Sequence, residues 1–228
     1  MKPTFLACHC GLGVCLAVVL LADMIFAQQQ AGGVITGKIT AVEAKGKNTV
    51  LKLKDDAGTE HSFDISPRMA FQIQSDGDDG FFAPGLFVEI DTTQSNKAYF
   101  GTAFLVYPDQ TGRIPPARAV KAPPMPGQST QRYFVSGEIA RFEKVEDGKY
   151  DLLHLKVTPK SELTVYIEPN HTLKVVQKDP QQAAVGQTVT VEGRLAGTRL
   201  IPAKITIETG VELKGEEFLA ARKDAEKK

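Results

Sequence analysis

Val34-Ile35-Thr36-Gly37-Lys38-Ile39-Thr40 is answered by Phe134-Val135-Ser136-Gly137-Glu138-Ile139-Ala140, at an offset of 100 residues. In both stretches apolar and polar residues alternate around a glycine. Three more blocks follow in the same order. Phe63-Asp64-Ile65-Ser66-Pro67 matches Val165-Tyr166-Ile167-Glu168-Pro169, and Gly85 with Val88 and Ile90 matches Gly186 with Val189 and Val191. Ala103-Phe104-Leu105 pairs with Ala203-Lys204-Ile205, again at an offset of 100. Self-similarity at one period marks a duplicated structural unit. The sequence therefore predicts two modules, residues 33–107 and 132–208.

Each copy reads as five short strands, because apolar residues recur at every second position. Leu51 and Leu53 point one way, Lys52 and Lys54 the other. His61, Phe63 and Ile65 form an inward face, with Glu60, Ser62 and Asp64 outward. In the second copy Leu153, Leu155 and Val157 face Leu163, Val165 and Ile167. Lys47-Asn48 and Asp147-Gly148 stand where the first hairpin must turn, and an Asp-Gly pair suits such a turn. Pro67 and Pro169 each end a strand, since proline cannot donate to a ladder. Antiparallel modules of this size remove their exposed edges by closing into small barrels. The expected fold is all-β: two tandem five-stranded barrels.

Between the modules, residues 108–131 hold six of the chain's thirteen prolines. Such a segment reads as an extended linker rather than a strand. The tail, residues 209–228, ends in Gly215 to Lys228 (GEEFLAARKDAEKK), a short charged helical pattern or frayed tail. At the other end, Met1-Lys2 precedes an apolar run from Gly11 to Phe26 and a small residue, Ala27. A basic start, a short apolar core and a small residue at the cut make residues 1–27 a secretory signal peptide. Asp23 breaks the run, which argues against a membrane-spanning helix of about 20 apolar residues. Cys8, Cys10 and Cys15 all fall within that segment, so the exported chain is expected to hold no cysteine and no disulfide. The expected address is periplasmic, envelope-associated or secreted, with no transmembrane segment once the signal is removed.

The run Val185-Gly186-Gln187-Thr188-Val189-Thr190-Val191-Glu192-Gly193-Arg194-Leu195, followed by Ile201-Pro202-Ala203-Lys204-Ile205, resembles the last two strands of OB-like modules of exported bacterial proteins. Gly37-Lys38-Ile39 and Gly137-Glu138-Ile139 resemble their opening strand. The resemblance covers most of both copies and implies a fold, two tandem OB-like barrels, without implying functional residues. The first copy departs from it at Asp91-Thr92-Thr93, where the second has Glu192-Gly193-Arg194.

Chemistry is sparse. A catalytic site needs a nucleophile with a base, a carboxylate pair or metal ligands. His61 falls on the inward phase of its strand and His154 on the outward phase, at non-equivalent places in the repeat. No nucleophile elbow, zinc-protease helix or phosphate loop is present, so the expected protein is not an enzyme and carries no cofactor. Asp76-Gly77-Asp78-Asp79-Gly80 has the hard oxygen ligands calcium prefers but lacks the later acidic residue of an EF-hand loop, and reads as a solvated acidic turn. Aromatic residues crowd the first copy. Phe81, Phe82, Phe87 and Tyr99 form either packing or an exposed partner surface, because interfaces favour aromatics. Phe87 and Phe104 are expected to alternate outward, against inward Val88, Ile90, Ala103 and Leu105. Lys52 and Lys54 lie across from Glu60, Ser62 and Asp64, so cross-strand pairing accounts for those charges. Without the signal, 26 basic residues balance 26 acidic ones, and with no outward aromatic on the second and third strands this argues against nucleic acid. Envelope proteins or glycans are the expected partners; the oligomeric state is open.

Overall fold

The structure, a computed structural model, describes residues 32–225 apart from 47, 67–68, 110–113, 124–129, 147 and 159. The signal-peptide reading of residues 1–27, and Pro67, Lys47 and Asp147, lie outside the described residues.

The chain is predominantly β. Its strands are β1 (Gly32–Lys45), β2 (Asn48–Asp55), β3 (Glu60–Ile65), β4 (Ala70–Gly77), β5 (Phe87–Ser95), β6 (Ala98–Tyr107), β7 (Arg118–Lys121), β8 (Gln131–Glu143), β9 (Asp151–Thr158), β10 (Ser161–Gln177), β11 (Thr188–Ala196) and β12 (Arg199–Leu213), followed by helix α1 (Gly215–Ala225). Leu51 and Leu53, and likewise Leu153 and Leu155, are fully buried while Lys52 and Lys54 are exposed, as their alternation predicts. Single-turn 3-10 segments at Asp79–Phe81 and Pro180–Gln182 precede β5 and β11. Each is capped by an aspartate, Asp78 and Asp179, that accepts a backbone N–H two residues on.

Strand pairing does not follow the order of the chain. Hairpin β5–β6 pairs with β8 through β5 and with β10 through β6. β8 pairs β9, and β9 pairs β10, so these five strands make a closed circuit. Hairpin β11–β12 pairs with β1 through β11 and with β4 through β12, and β1 pairs β2, which pairs β3. Two apolar cores result, each drawing on both halves of the sequence. One sets Val88, Ile90, Phe104 and Val106 against Val135, Ile139, Leu153, Leu155 and Val165. The other sets Ile39, Leu51, Leu53, Phe63 and Ile73 against Val189, Val191, Ile205 and Ile207. The segments 33–107 and 132–208 therefore do not coincide with the two cores.

The joints that hold each hairpin on the other half are matched. Gly85 N–H donates to the Ile139 carbonyl at 2.9 Å and Ile139 N–H to Leu86 at 2.8 Å; Gly186 N–H donates to Ile39 at 2.9 Å and Ile39 N–H to Gln187 at 3.0 Å. Gly85 and Gly186 sit at φ of 86° and 89°, a region glycine enters without steric cost. Nearby, Gly37 and Gly137 lie so close to the backbone of β2 and β9 that a Cβ would stand 2.3 Å from the Lys54 oxygen and 2.6 Å from the Lys156 oxygen.

Four expectations change. In the hairpins Ile90 opposes Phe104 while Val191 opposes Ile205, so the blocks there correspond at an offset of 101, not 100. A one-residue slip reverses every side chain: Phe104 and Val106 are buried in the core, and Ala103 and Leu105 are on the other face. Phe87 keeps the expected pleat, opposite Val88 and Ile90, but is buried there against Tyr107 and Val176. Pro169 does not end its strand, because β10 runs through it. The ladder to β6 instead skips from Ile167 to Thr172, which places the missing N–H in an unpaired bulge. The Pro-rich segment contains a strand, since the proline-free Arg118–Lys121 adds antiparallel to Tyr133–Ser136 on the side of β8 that β9 leaves open.

Candidate functional site

The aromatic residues expected as packing or as a partner surface do not form an exposed face. Phe81, Phe82 and Phe87 are buried, and half-buried Tyr99 stands edge-on to Tyr133 at 5.3 Å between ring centres. Phe82 meets Phe104 and Phe142 at 5.1 and 5.3 Å. The burial of Phe81 and Phe82 follows from the pairing of β5 with β8 and of β6 with β10, which folds the loop before β5 onto β8–β10. The acidic loop beside them is committed to the fold as well. Asp76 pairs with Lys174 at 2.9 Å, and Asp79 with His171 Nε2 at 2.9 Å. Asp78 Oδ1 accepts from both Gly80 N–H at 3.1 Å and Gly215 N–H at 2.9 Å. These bonds tie the loop to helix α1, whose Phe218 ring lies 5.6 Å from that of Phe81. The C-terminal segment is thus a docked helix within Gly215–Ala225, held by Phe218 and Leu219 on the core. Among the described residues no group of three or more His, Cys, Asp or Glu side chains is placed to hold a metal.

His154 projects from the core on the outward pleat of β9, yet it is buried. Arg141 and Thr164 cover it, with Thr164 Oγ1 at 3.0 Å and Arg141 Nη2 at 3.3 Å from Nδ1. Its Nε2 lies 3.4 Å from Glu143, near enough for an ion pair but without hydrogen-bond geometry. Arg141 Nε, 2.6 Å from Glu143, holds that carboxyl below its ordinary range. His61 is half-buried and bonded to Asp55 at 2.8 Å. That bond, with one from the Thr59 N–H, lowers the Asp55 carboxyl below its ordinary pKa.

His61 also lines a cleft of about 540 Å³ between β3 and the tip of hairpin β11–β12. Glu60 to Asp64 of β3 line one side and Thr198 to Pro202 the other, with Ile35 and Met69 completing the lining. Phe63 and Leu200 are buried beneath it; Glu60, Ser62, Asp64, Arg199 and Ile201 are exposed. Lys52 turns to Glu43 at 2.6 Å rather than toward β3. Glu60, Asp64 and Arg199 make no ion pair among the described residues.

The cleft exists because β3 pairs only with β2 among the described residues. In the other circuit the corresponding part of β10, Val165 to Ile167, pairs in parallel with Tyr99 to Gly101 of β6. Here Pro202 stands where β6 has Gly101. In the two-residue turn at Gly197-Thr198 the flanking pair Ala196–Arg199 is the hydrogen-bonded kind, and such pairs alternate along an antiparallel ladder. Pro202 is then turned toward β3, and it has no N–H to offer. Proline at 202, in the hairpin position that Gly101 holds in β6, is the readable signal for a cleft that strand alternation alone does not reveal.

No protein-family model matches the chain, and no curated protein or solved structure is significantly similar to it. Among the described residues no helix is long and apolar enough to cross a membrane.

Proposed function

We propose that this is a non-enzymatic exported protein, envelope-associated or secreted, whose two OB-like barrels bind or space other proteins. The barrels arise from a duplicated unit in which the copies exchange their last hairpins. The closed circuit β8–β9–β10–β6–β5 supports this reading, because it has the unit's strands in the order first, second, third, fifth, fourth. Small Greek-key barrels of this kind are partly open and use their strands and loops as binding surfaces. The observation that carries the reading is the cleft at β3, where a backbone edge, apolar side chains and charges meet that have no strand or ion-pair partner among the described residues. The export half rests on the basic start, apolar run and Ala27.

Cross-linking in the native envelope tests it. A residue-specific photo-cross-linker at Ser62 is expected to capture one reproducible protein, while one at exposed Lys121 captures none. Uniform labelling from both positions would overturn the reading. A second reading, OB-type binding of a glycan or small ligand, is favoured by the turn at Gly197-Thr198 lining the cleft, where such barrels take oligosaccharides. Retention on a column of cell-wall polysaccharide, lost on mixing with free oligosaccharide, would select it.

A further inference from the structure

We propose that the cleft receives an extended polypeptide segment of a partner protein, which adds as a further strand to the edge of β3 that no described strand covers. The proposal rests on the protein-binding reading and names how the partner is held. Asp55 N–H donates to the Thr59 carbonyl at 3.0 Å, which makes that pair the hydrogen-bonded kind. By alternation, the backbone groups of Glu60, Ser62 and Asp64 point away from β2 and into the cleft. A row of donors and acceptors left without a partner strand among the described residues is a template for another chain.

The other half of the molecule shows what fits there. At the corresponding edge of β10, an extended stretch of β6 lies in parallel register. Pro202 denies β3 that same partner, so the position is left for a strand from elsewhere. The charges choose among strands. Glu60 and Asp64 project on the outer face beside the edge, so an added strand with lysine or arginine on its outer face and aliphatic residues toward Leu200 is preferred.

The test is a titration of isotope-labelled protein with a short acetylated peptide of alternating valine and lysine, followed by amide chemical shifts and hydrogen exchange. The amides of Glu60, Ser62 and Asp64 are expected to shift and to exchange more slowly. N-methylation of the peptide backbone is expected to weaken binding about tenfold or more, because it removes the ladder and keeps the charge. The pair Glu60→Lys and Asp64→Lys, both at exposed positions, should reverse the preference to a valine–glutamate peptide. Absence of any shift at β3 up to about 1 mM peptide, or binding indifferent to N-methylation, overturns the proposal. So does a cell-wall oligosaccharide that shifts these amides where the peptide does not, or a concentration-dependent dimer that already protects them. A reproducible envelope cross-link elsewhere on the surface, with no peptide effect at β3, would remove the strand-addition site and leave the protein-binding reading standing.

Discussion

At the scale of single residues, the fold depends on places where a side chain has no room. The Cβ of an alanine at position 137 would meet a backbone oxygen of β9 at 2.6 Å, and backbone cannot move aside as a flexible side chain can. Gly137→Ala is expected to cost roughly 1–3 kcal/mol, the range for overpacking, measured by urea unfolding; a change within experimental error would mean that β8 and β9 are not this close. Asp55 acts by charge instead. Its folded pKa lies below its unfolded value of about 3.9, so its bonds stabilise the fold above that value and are lost as pH falls through the folded pKa. Asp55→Asn should therefore be less stable than the parent at neutral pH, and the gap should close on acidification below about pH 4. A gap that persisted in acid would assign the effect to shape rather than to charge.

At the scale of elements, one aspartate joins two ends of the chain. Asp78 caps the 3-10 turn and also holds the first N–H of α1, so Asp78→Ala leaves two donors without their acceptor. The expected loss is about 1–2 kcal/mol, with faster hydrogen exchange at Gly80 and Gly215 and little change in β1–β3. Exchange that rose uniformly would contradict a local tie. The hairpins β5–β6 and β11–β12 show how nearly equal elements diverge. Both carry a register shift at the same place, after Asp91 and after Glu192, but Gly101 in one and Pro202 in the other decide whether the neighbouring strand can close on them. Pro202→Gly is expected to protect the amides of Ser62 and Asp64 from exchange by letting β12 approach β3. Unchanged exchange there would show that another constraint keeps the seam apart.

At the scale of the whole molecule, neither half owns a core. The first half contributes β5–β6 to the core of β8–β10, and the second contributes β11–β12 to the core of β1–β4. Unfolding should be a single cooperative transition, and a chain cut between Pro123 and Thr130 should stay folded with its fragments associated. Either fragment alone should be less stable than the associated pair, since the contacts of its hairpin with the core of the other half are lost. Two separate thermal transitions in the intact chain, or cut fragments that do not stay associated, would contradict this pairing of hairpins with cores.

The sequence by itself determined the faces of strands such as β2 and β9, though not the face of β6 or the existence of β7, because the two-residue period of a pleated strand is written locally in pairs such as Leu51/Leu53 and Leu153/Leu155. It also carried the four matched blocks, the glycines that permit close backbone approach, and the charged segment that becomes α1. Only the tertiary structure decided which hairpin completes which core. The hairpins β5–β6 and β11–β12 are alike in register, and nothing local says which of them pairs with β1 and which with β8. Tertiary structure likewise turned the aromatic cluster inward and buried His154 under Arg141 and Thr164, since burial on an outward pleat depends on neighbours distant in sequence. The cleft belongs to both levels. Its cause is one proline legible in the chain, and its effect exists only where the absent N–H faces an edge that the fold has brought beside it.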